Sequence, residues 1–349
     1  MAKIAFALTV FFLMSMAAPP TVEAAPCLIV TLTGTQSGPP VFNGLAGAGT
    51  LVRYGEDENN CGALTLQFDA GRGTNMRLSQ LGVEPRQLNA IFFTHMHSDH
   101  TEGFPDIMLL RWHLSGPKID VVCSSDTVSP LGFTISCRKF VLHIGDAFIQ
   151  SGEIAQRRSE DNRRLPGGPA DLANMITFEP REEPQVVWSS GSVKVSAVRS
   201  THIAGHASYR LDTPAGSVVI GGDASNDMLS PPRVTSTSDQ VEKLAKGVDI
   251  IVHSTAHPVM GPNSGLPQGN FNRQSSASDL GALAKRVGAK YLMLTHLSPP
   301  IGAELAYGAL KLPGGSLTEA DYRRAVEASG FTGHVIAGTD LASVRLPAK

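Results

Sequence analysis

The sequence holds little that would draw it to a polyanion or into a membrane. Of its 349 residues 29 are Lys or Arg and 31 are Asp or Glu, a formal net charge of −2. A chain this close to neutrality has no general electrostatic attraction to nucleic acid or anionic lipid. No Gly/Ser-rich linker, internal repeat or long run of like charge interrupts it, so nothing marks a second domain. Cysteine is scarce, with four residues at Cys27, Cys61, Cys123 and Cys137. An even count permits disulfides in an exported chain, with three connectivities open and buried free thiols as the alternative. The apolar run from Ile4 to Ala18 is shorter than the roughly 20 residues a membrane-spanning helix needs.

That run reads instead as the core of a signal peptide. Lys3 precedes it, and Val22-Glu23-Ala24 ahead of Ala25 forms a small-residue cleavage site. The competing reading is an uncleaved anchor. Cleavage after Ala24 predicts a mature chain of residues 25–349 as a single domain, periplasmic or secreted, with no stable membrane insertion. Its length suffices for one large core.

What the sequence does have is a cluster. Phe92-Phe93-Thr94-His95-Met96-His97-Ser98-Asp99-His100 places three histidines and an aspartate within six residues, just past the apolar run Ala90 to Phe93. If that run is a buried strand, His95 and His97 emerge two residues apart at its end, and both imidazoles can face one point. Asp99 and His100 follow at the turn into a helix that begins near Thr101 to Gly103 and carries Ile107, Leu110 and Leu114. Two ligand sets from one loop suggest two divalent metal ions. Imidazole and carboxylate donors suit Zn2+ best, with iron, manganese and cobalt as alternatives. The bland reading is a polar surface turn, which does not account for four clustered ligands.

His95-x-His97-x-Asp99-His100 resembles the signature of the metallo-β-lactamase superfamily, and the rest of the chain is similar to its ribonuclease Z and periplasmic arylsulfatase-like branch. The resemblance implies an α/β (α+β) fold, an αββα sandwich of two facing mixed sheets with helices outside and a dinuclear site at one edge. It implies that His95, His97 and His202 hold one ion, that Asp99, His100 and His296 hold the other, and that Asp223 bridges them. His202 stands before Ser208-Tyr209-Arg210, where the family has Gly-Tyr-Arg; Gly222-Asp223-Ala224-Ser225 resembles the family's Ser-Gly-Asp-Thr; His296 precedes Ser298-Pro299. Asp69 in Asp69-Ala70-Gly71 looks like the aspartate that orients a metal-bound histidine. His253 matches a histidine that serves substrate in ribonuclease Z, but Ser254 replaces the glutamate expected beside it. The resemblance makes Asp99 and His253 the catalytic candidates, with His257 as another acid and His206 as a residue that lines the pocket or supports a ligand, a ligand role being the alternative.

The intervening pattern is β at Leu28–Leu32, Thr50–Tyr54, Leu64–Phe68, Val186–Trp188, Val193–Val198, Ser217–Gly221, Asp249–Val252, Tyr291–Leu294, His334–Ala337 and Leu341–Arg345. Helices are expected over Ser238–Gly247 and Ser278–Val287, with a third starting at Thr318. Arg157, Arg158, Arg163 and Arg164 invite a phosphate-binding role. Acids interrupt them and no aromatics interleave, which favours a solvated loop or lid.

Two cations sharing a water make a hydroxide available near neutral pH, so hydrolysis is the expected reaction. A small ester-type substrate (aryl sulfate, phosphodiester or related ester) suits an exported, nearly neutral chain; nucleic acid does not. A ribonuclease Z-like phosphodiesterase or nuclease is the alternative, then a lactone or β-lactam hydrolase, and last a non-catalytic periplasmic metal or ligand binder. A homodimer is left open. Specificity is expected in the loops Gly34–Gly49, Ser151–Glu183 and Pro258–Arg273.

Overall fold

Each half of the chain begins with antiparallel hairpins and ends with parallel strands joined by helices, and each builds one sheet. A computed structural model of the protein describes residues 25–226, 235–269 and 271–348; residues 1–24, where a signal peptide is expected, lie outside them. The first sheet runs Ser343–Leu346, Pro26–Gly34, Gly49–Glu56, Leu64–Phe68, Ala90–Phe92, Ile119–Ser124, Ala173–Phe178. Its pairings are antiparallel up to Leu64–Phe68 and parallel beyond. The second runs His334–Ala337, Tyr291–Ser298, Ile250–Ala256, Gly216–Ile220, Ala207–Thr213, Val193–Arg199, Gln185–Ser190. Here the first four strands are parallel and the rest antiparallel. The last strand returns to the first sheet, with Val344 opposite Val30.

Alternation decides which side chains meet between the sheets. Leu28, Val30, Leu66, Phe68 and Phe92 from one sheet pack with Val195, Tyr209, Leu211, Ile220 and Val252 from the other. Phe68 stacks on Phe92 at 4.6 Å between ring centroids, and Tyr209 meets both edge-on or tilted. The Tyr209 hydroxyl donates to the Phe93 carbonyl at 2.7 Å, satisfying a buried polar group where the metal loop begins. Helices Phe104–His113 and Cys137–Gln150 cover the first sheet; Asp239–Leu244, Ala277–Val287 and Glu319–Glu327 cover the second. Thus the expected αββα sandwich is formed. Among the described residues no helix is long and apolar enough to cross a membrane.

Several expectations change in detail. The parallel strands Ile119–Ser124 and Ala173–Phe178, the latter at the sheet's edge, were not foreseen. The helix after the histidine cluster is split into a turn at Ser98–Thr101 and a helix Phe104–His113, with Pro105 in its first turn. Its buried face is Phe104, Ile107, Met108, Arg111 and Trp112, whereas Leu114 ends it exposed. Arg111 takes an interior position because its guanidinium donates to the carbonyls of Pro85, Leu88, Pro117 and Lys118. The helix expected over Ser238–Gly247 is only Asp239–Leu244. Ser276 caps Ala277–Val287, and Thr318 with Asp321 forms a capping box.

Both disulfides form, Cys27–Cys61 and Cys123–Cys137. The second ties the end of Ile119–Ser124 to the start of Cys137–Gln150. The arginine cluster is consumed internally. Arg157 pairs with Glu153 and Glu160, Arg163 forks onto Asp161, and Arg164 lies over the Trp112 ring.

Candidate metal centre

The candidate ligands sit past strand ends, in the helical turn Ser98–Thr101 or in a strand's irregularity, on one rim of the sandwich. Asp69 leaves Leu64–Phe68 with φ +54°, in the left-handed region. Gly71 follows, where a Cβ would collide with the Asp99 carbonyl oxygen; this close approach brings the two loops together. Gly222 takes φ +60° between Thr94 and His206 and delivers Asp223. His296 is the extra residue of a bulge, since Thr295 pairs with Ser254 and Leu297 with Thr255, and its φ is +46°. A bulge re-aims a side chain that regular pairing would direct elsewhere.

The rim gathers all seven expected ligands. The ligand atoms of His95, His97 and His202 form one group, those of Asp99, His100 and His296 another, and those of His95, His100 and Asp223 a third, each within 4.8 Å. His95 Nε2 is 2.9 Å from His97 Nδ1, which is 3.3 Å from His202 Nε2. His296 Nε2 is 3.0 Å from Asp99 Oδ2 and 3.3 Å from Asp223 Oδ2. Asp223 also lies 3.4 Å from His100 Nε2 and 3.7 Å from His202 Nε2, so its carboxylate stands between the two triads.

Supporting contacts fix these groups. Asp69 Oδ2 accepts from His100 Nδ1 and from the Thr94 hydroxyl, both at 2.8 Å, while its Oδ1 accepts the Thr94 amide. Gly38 N donates to Asp99 Oδ2 at 2.9 Å. His206 Nε2 accepts the Asp223 amide at 3.1 Å, and its Nδ1 meets the Ser200 hydroxyl. Both ring nitrogens of His206 are therefore engaged, and its place is to support Asp223.

The electrostatics divide the site in two. Burial pushes His95 well below its usual pKa, aided by His100 and His202; burial likewise lowers His97, and takes His202 to about 4. These imidazoles present neutral lone pairs. Burial also opposes charge on His100 and His296, but Asp223 with Asp69 in the first case, and Asp223 with Asp99 in the second, outweigh it and raise both. Burial alone would raise Asp99 and Asp223 too; contacts with His296 and His100 hold both carboxyls well below the ordinary range. The carboxylates thus demand positive charge. His100 Nε2 and Asp223 Oδ1 are buried without a hydrogen-bond partner of good geometry among the described residues. Buried orphan donors aimed at a common point, with no thiolate among them, fit divalent ions held by nitrogen and oxygen.

His253 is placed differently from the expectation. It is fully buried, its Nδ1 donates to the Ser254 carbonyl at 2.8 Å, and its ring fills the space beside Gly221. Among the described residues His253 does not line the cavity above the ligands. His257 caps the turn Pro258–Met260, accepting the Val259 amide, and lies against Tyr322. The cavity measures about 850 Å³ and is lined by the loop 36–43, by Arg273 and Gln274, and by the segment 298–308. Ser151–Glu183, expected among the specificity loops, does not reach it, and 298–308 was not foreseen. Gln274 was missed as well. Its Nε2 donates to Asp223 Oδ2 at 3.2 Å, and its Oε1 accepts from the Ser254 hydroxyl at 3.0 Å.

Comparison with known proteins agrees with this geometry. A family model described as "Anti-Pycsar protein Apyc1" matches residues 59–257, more than half of the chain. A ribonuclease Z of Mycobacterium bovis is 25% identical over 329 residues, covering 91% of this chain and 98% of its own length. One from Mycobacterium sp. strain KMS is 28% identical over 324 residues, covering 91% and 95%. Among solved structures, the metallo-β-lactamase-fold protein YhfI of Bacillus subtilis superposes with a TM-score of 0.58 at 17% identity, over 92% of this chain and 100% of that one. The short form of human tRNase Z gives the same TM-score, identity and coverage. Yeast PDE1 gives 0.56 at 12% identity, over 92% and 99%. The fold is that of the metallo-β-lactamase sandwich.

Proposed function

The chain belongs to the family described as anti-Pycsar protein Apyc1, and from that premise we propose that it is a metal-dependent phosphodiesterase acting on a small phosphodiester. The observation that carries this reading is Asp223. One buried carboxylate stands between two triads of imidazole and carboxylate donors, the arrangement a two-metal hydrolytic site needs. His95, His97 and His202 would hold one ion and Asp99, His100 and His296 the other, with Zn2+ suiting this donor set best.

When bound, two such ions supply a nucleophile from water and neutralise charge developing on a phosphoryl group. The chain's own groups prepare for that. Asp69 accepts the hydrogen bond from His100 Nδ1–H and so leaves Nε2 facing the site. The Gly38 amide anchors Asp99, and Gln274 fixes the Asp223 carboxylate.

Phosphodiester is preferred over aryl sulfate because the chain is similar over about nine tenths of its length to curated ribonucleases Z. A small substrate is preferred over a long RNA because a cavity of about 850 Å³ lies within the range of small-molecule sites. The near-neutral charge and the pairing of Arg157 and Arg163 with acids argue against an extended phosphate-binding surface. The two disulfides support placing residues 25–349 in an oxidising, exported compartment.

The test is turnover by metal-reconstituted protein, with and without chelator, of bis(p-nitrophenyl) phosphate, p-nitrophenyl sulfate, an aryl acetate and a structured RNA. Chelator-sensitive preference for the diester is expected. Preference for the sulfate would overturn the phosphodiester reading, and preference for the RNA would replace the small substrate with a nuclease's.

A further inference from the structure

The turn Phe271–Arg273 carries two consecutive residues into the site, and only one serves the ligands. Gln274 is buried and bonded on both sides, to Asp223 and to Ser254. Arg273 is exposed and lines the same cavity as His97, His202, Asp223 and His296. Its positive charge acts on His97 and His202, lowering both alongside their burial. Yet among the described residues its guanidinium has no ion pair or side-chain hydrogen bond. By contrast, Arg157 and Arg163 of the 157–164 cluster are paired with Glu153, Glu160 and Asp161, and Arg158 Nε donates to the Arg164 carbonyl.

An unpaired guanidinium beside a site that already gathers cations has a cost unless the substrate brings negative charge. A neutral ester or lactone brings none. A phosphodiester carries a full charge on two non-bridging oxygens, and a guanidinium fork matches that geometry. We propose that Arg273 determines specificity for anionic esters by receiving a non-bridging phosphoryl oxygen, and that Gln274 holds the turn in register with the metal centre through Asp223 and Ser254. This rests on the phosphodiesterase reading above and names the residue that enforces it. Arg273 binds the part of the substrate that does not react, so its loss acts on charged substrates and spares neutral ones.

The experiment compares wild type, R273A, R273K and Q274A as metal-reconstituted full chains whose thermal melts confirm folding. Substrates are bis(p-nitrophenyl) phosphate and neutral p-nitrophenyl acetate. Inorganic phosphate binding is followed separately by calorimetry. For R273A, kcat/KM on the diester is expected to fall about tenfold to a hundredfold, mostly in KM, from loss of one charge-assisted contact. R273K should recover part of this, acetate turnover should stay level, metal content should be unchanged and phosphate should bind about tenfold more weakly. Q274A should also perturb the Co2+ absorption spectrum, because it frees Asp223.

Equal losses on diester and acetate, or phosphate binding untouched by R273A or absent from wild type, would overturn the role of Arg273. Absence of diester turnover with Arg273-dependent phosphate binding would instead sink the phosphodiesterase reading and leave Arg273 as an anion site.

Discussion

Asp69 Oδ2 lies 2.8 Å from His100 Nδ1 and also accepts the Thr94 hydroxyl, so one carboxylate from the third strand governs a ligand delivered by the loop after the fourth. The contact fixes which nitrogen of His100 faces the centre. Replacing Asp69 with Ala is expected to weaken divalent-metal affinity by about tenfold to a hundredfold. Competition against a chromogenic chelator measures it. Undiminished affinity would mean that the ring is held by packing alone.

His253 and His202 should separate cleanly. His202 lies within the ligand triad, whereas His253 is buried beside Gly221 with its Nδ1 committed to the Ser254 carbonyl. H202Q should lose metal from its triad and nearly all turnover. H253Q should keep its metal and lose less than about a hundredfold in kcat, the lower end of what removing a general acid costs. A larger loss in H253Q, with metal retained, would restore it as the acid.

Asp340, near the C-terminus, holds the loop that roofs the cavity. Its oxygens accept from the Thr35 amide and hydroxyl, from the Ala46 amide, and from Arg77 Nε at 2.7 Å. Asp340→Ala strands a mostly buried guanidinium and two amides, which should lower stability by about 3 kcal/mol. Thermal melting and hydrogen exchange across residues 35–46 read this out. Unaltered exchange in that loop would count against the tether.

The acid limb of stability should carry a contribution from Asp249. It accepts from the Ser217 amide and hydroxyl and from Lys290 Nζ at 2.7 Å. Burial opposes its charge, but these bonds lower its pKa below the usual value. With the folded pKa depressed, the stabilisation is complete above the unfolded carboxyl range of about 3.9 and is lost as pH falls through the folded value. Wild type should therefore lose more melting temperature than D249N between pH 5 and pH 3. Parallel profiles would assign the acid sensitivity to other carboxylates.

How much of this was legible follows from what each signal depends on. The His95 to His100 cluster is local in sequence, and its ligands diverge from one strand end, so spacing sufficed. The strand Ile250–Ala256 announced itself by a run of apolar and β-branched residues whose two faces are both covered. Resemblance extended that reading to His202, Asp223 and His296, all of which the fold brings to the same rim.

Sequence by itself determined the metal loop, most of the strand segments and the near-neutral charge, and family resemblance supplied the two-sheet architecture. The rest waited on distances that no local pattern encodes. Arg111 carries a charge into the interior only because four backbone carbonyls surround its guanidinium. His253 matched a motif, but the close approach of Gly221 put its ring behind the cavity rather than in it. The bulge at His296 comes from an extra residue relative to Ser254 and Thr255, 42 positions or so earlier in the chain, which only pairing reveals. Gln274 bonds to Asp223 across 51 residues, and Arg273 gains its meaning from the turn that Gln274 anchors. Side-chain chemistry nominates ligands; only tertiary packing decides which polar groups reach the centre and which are sealed away from it.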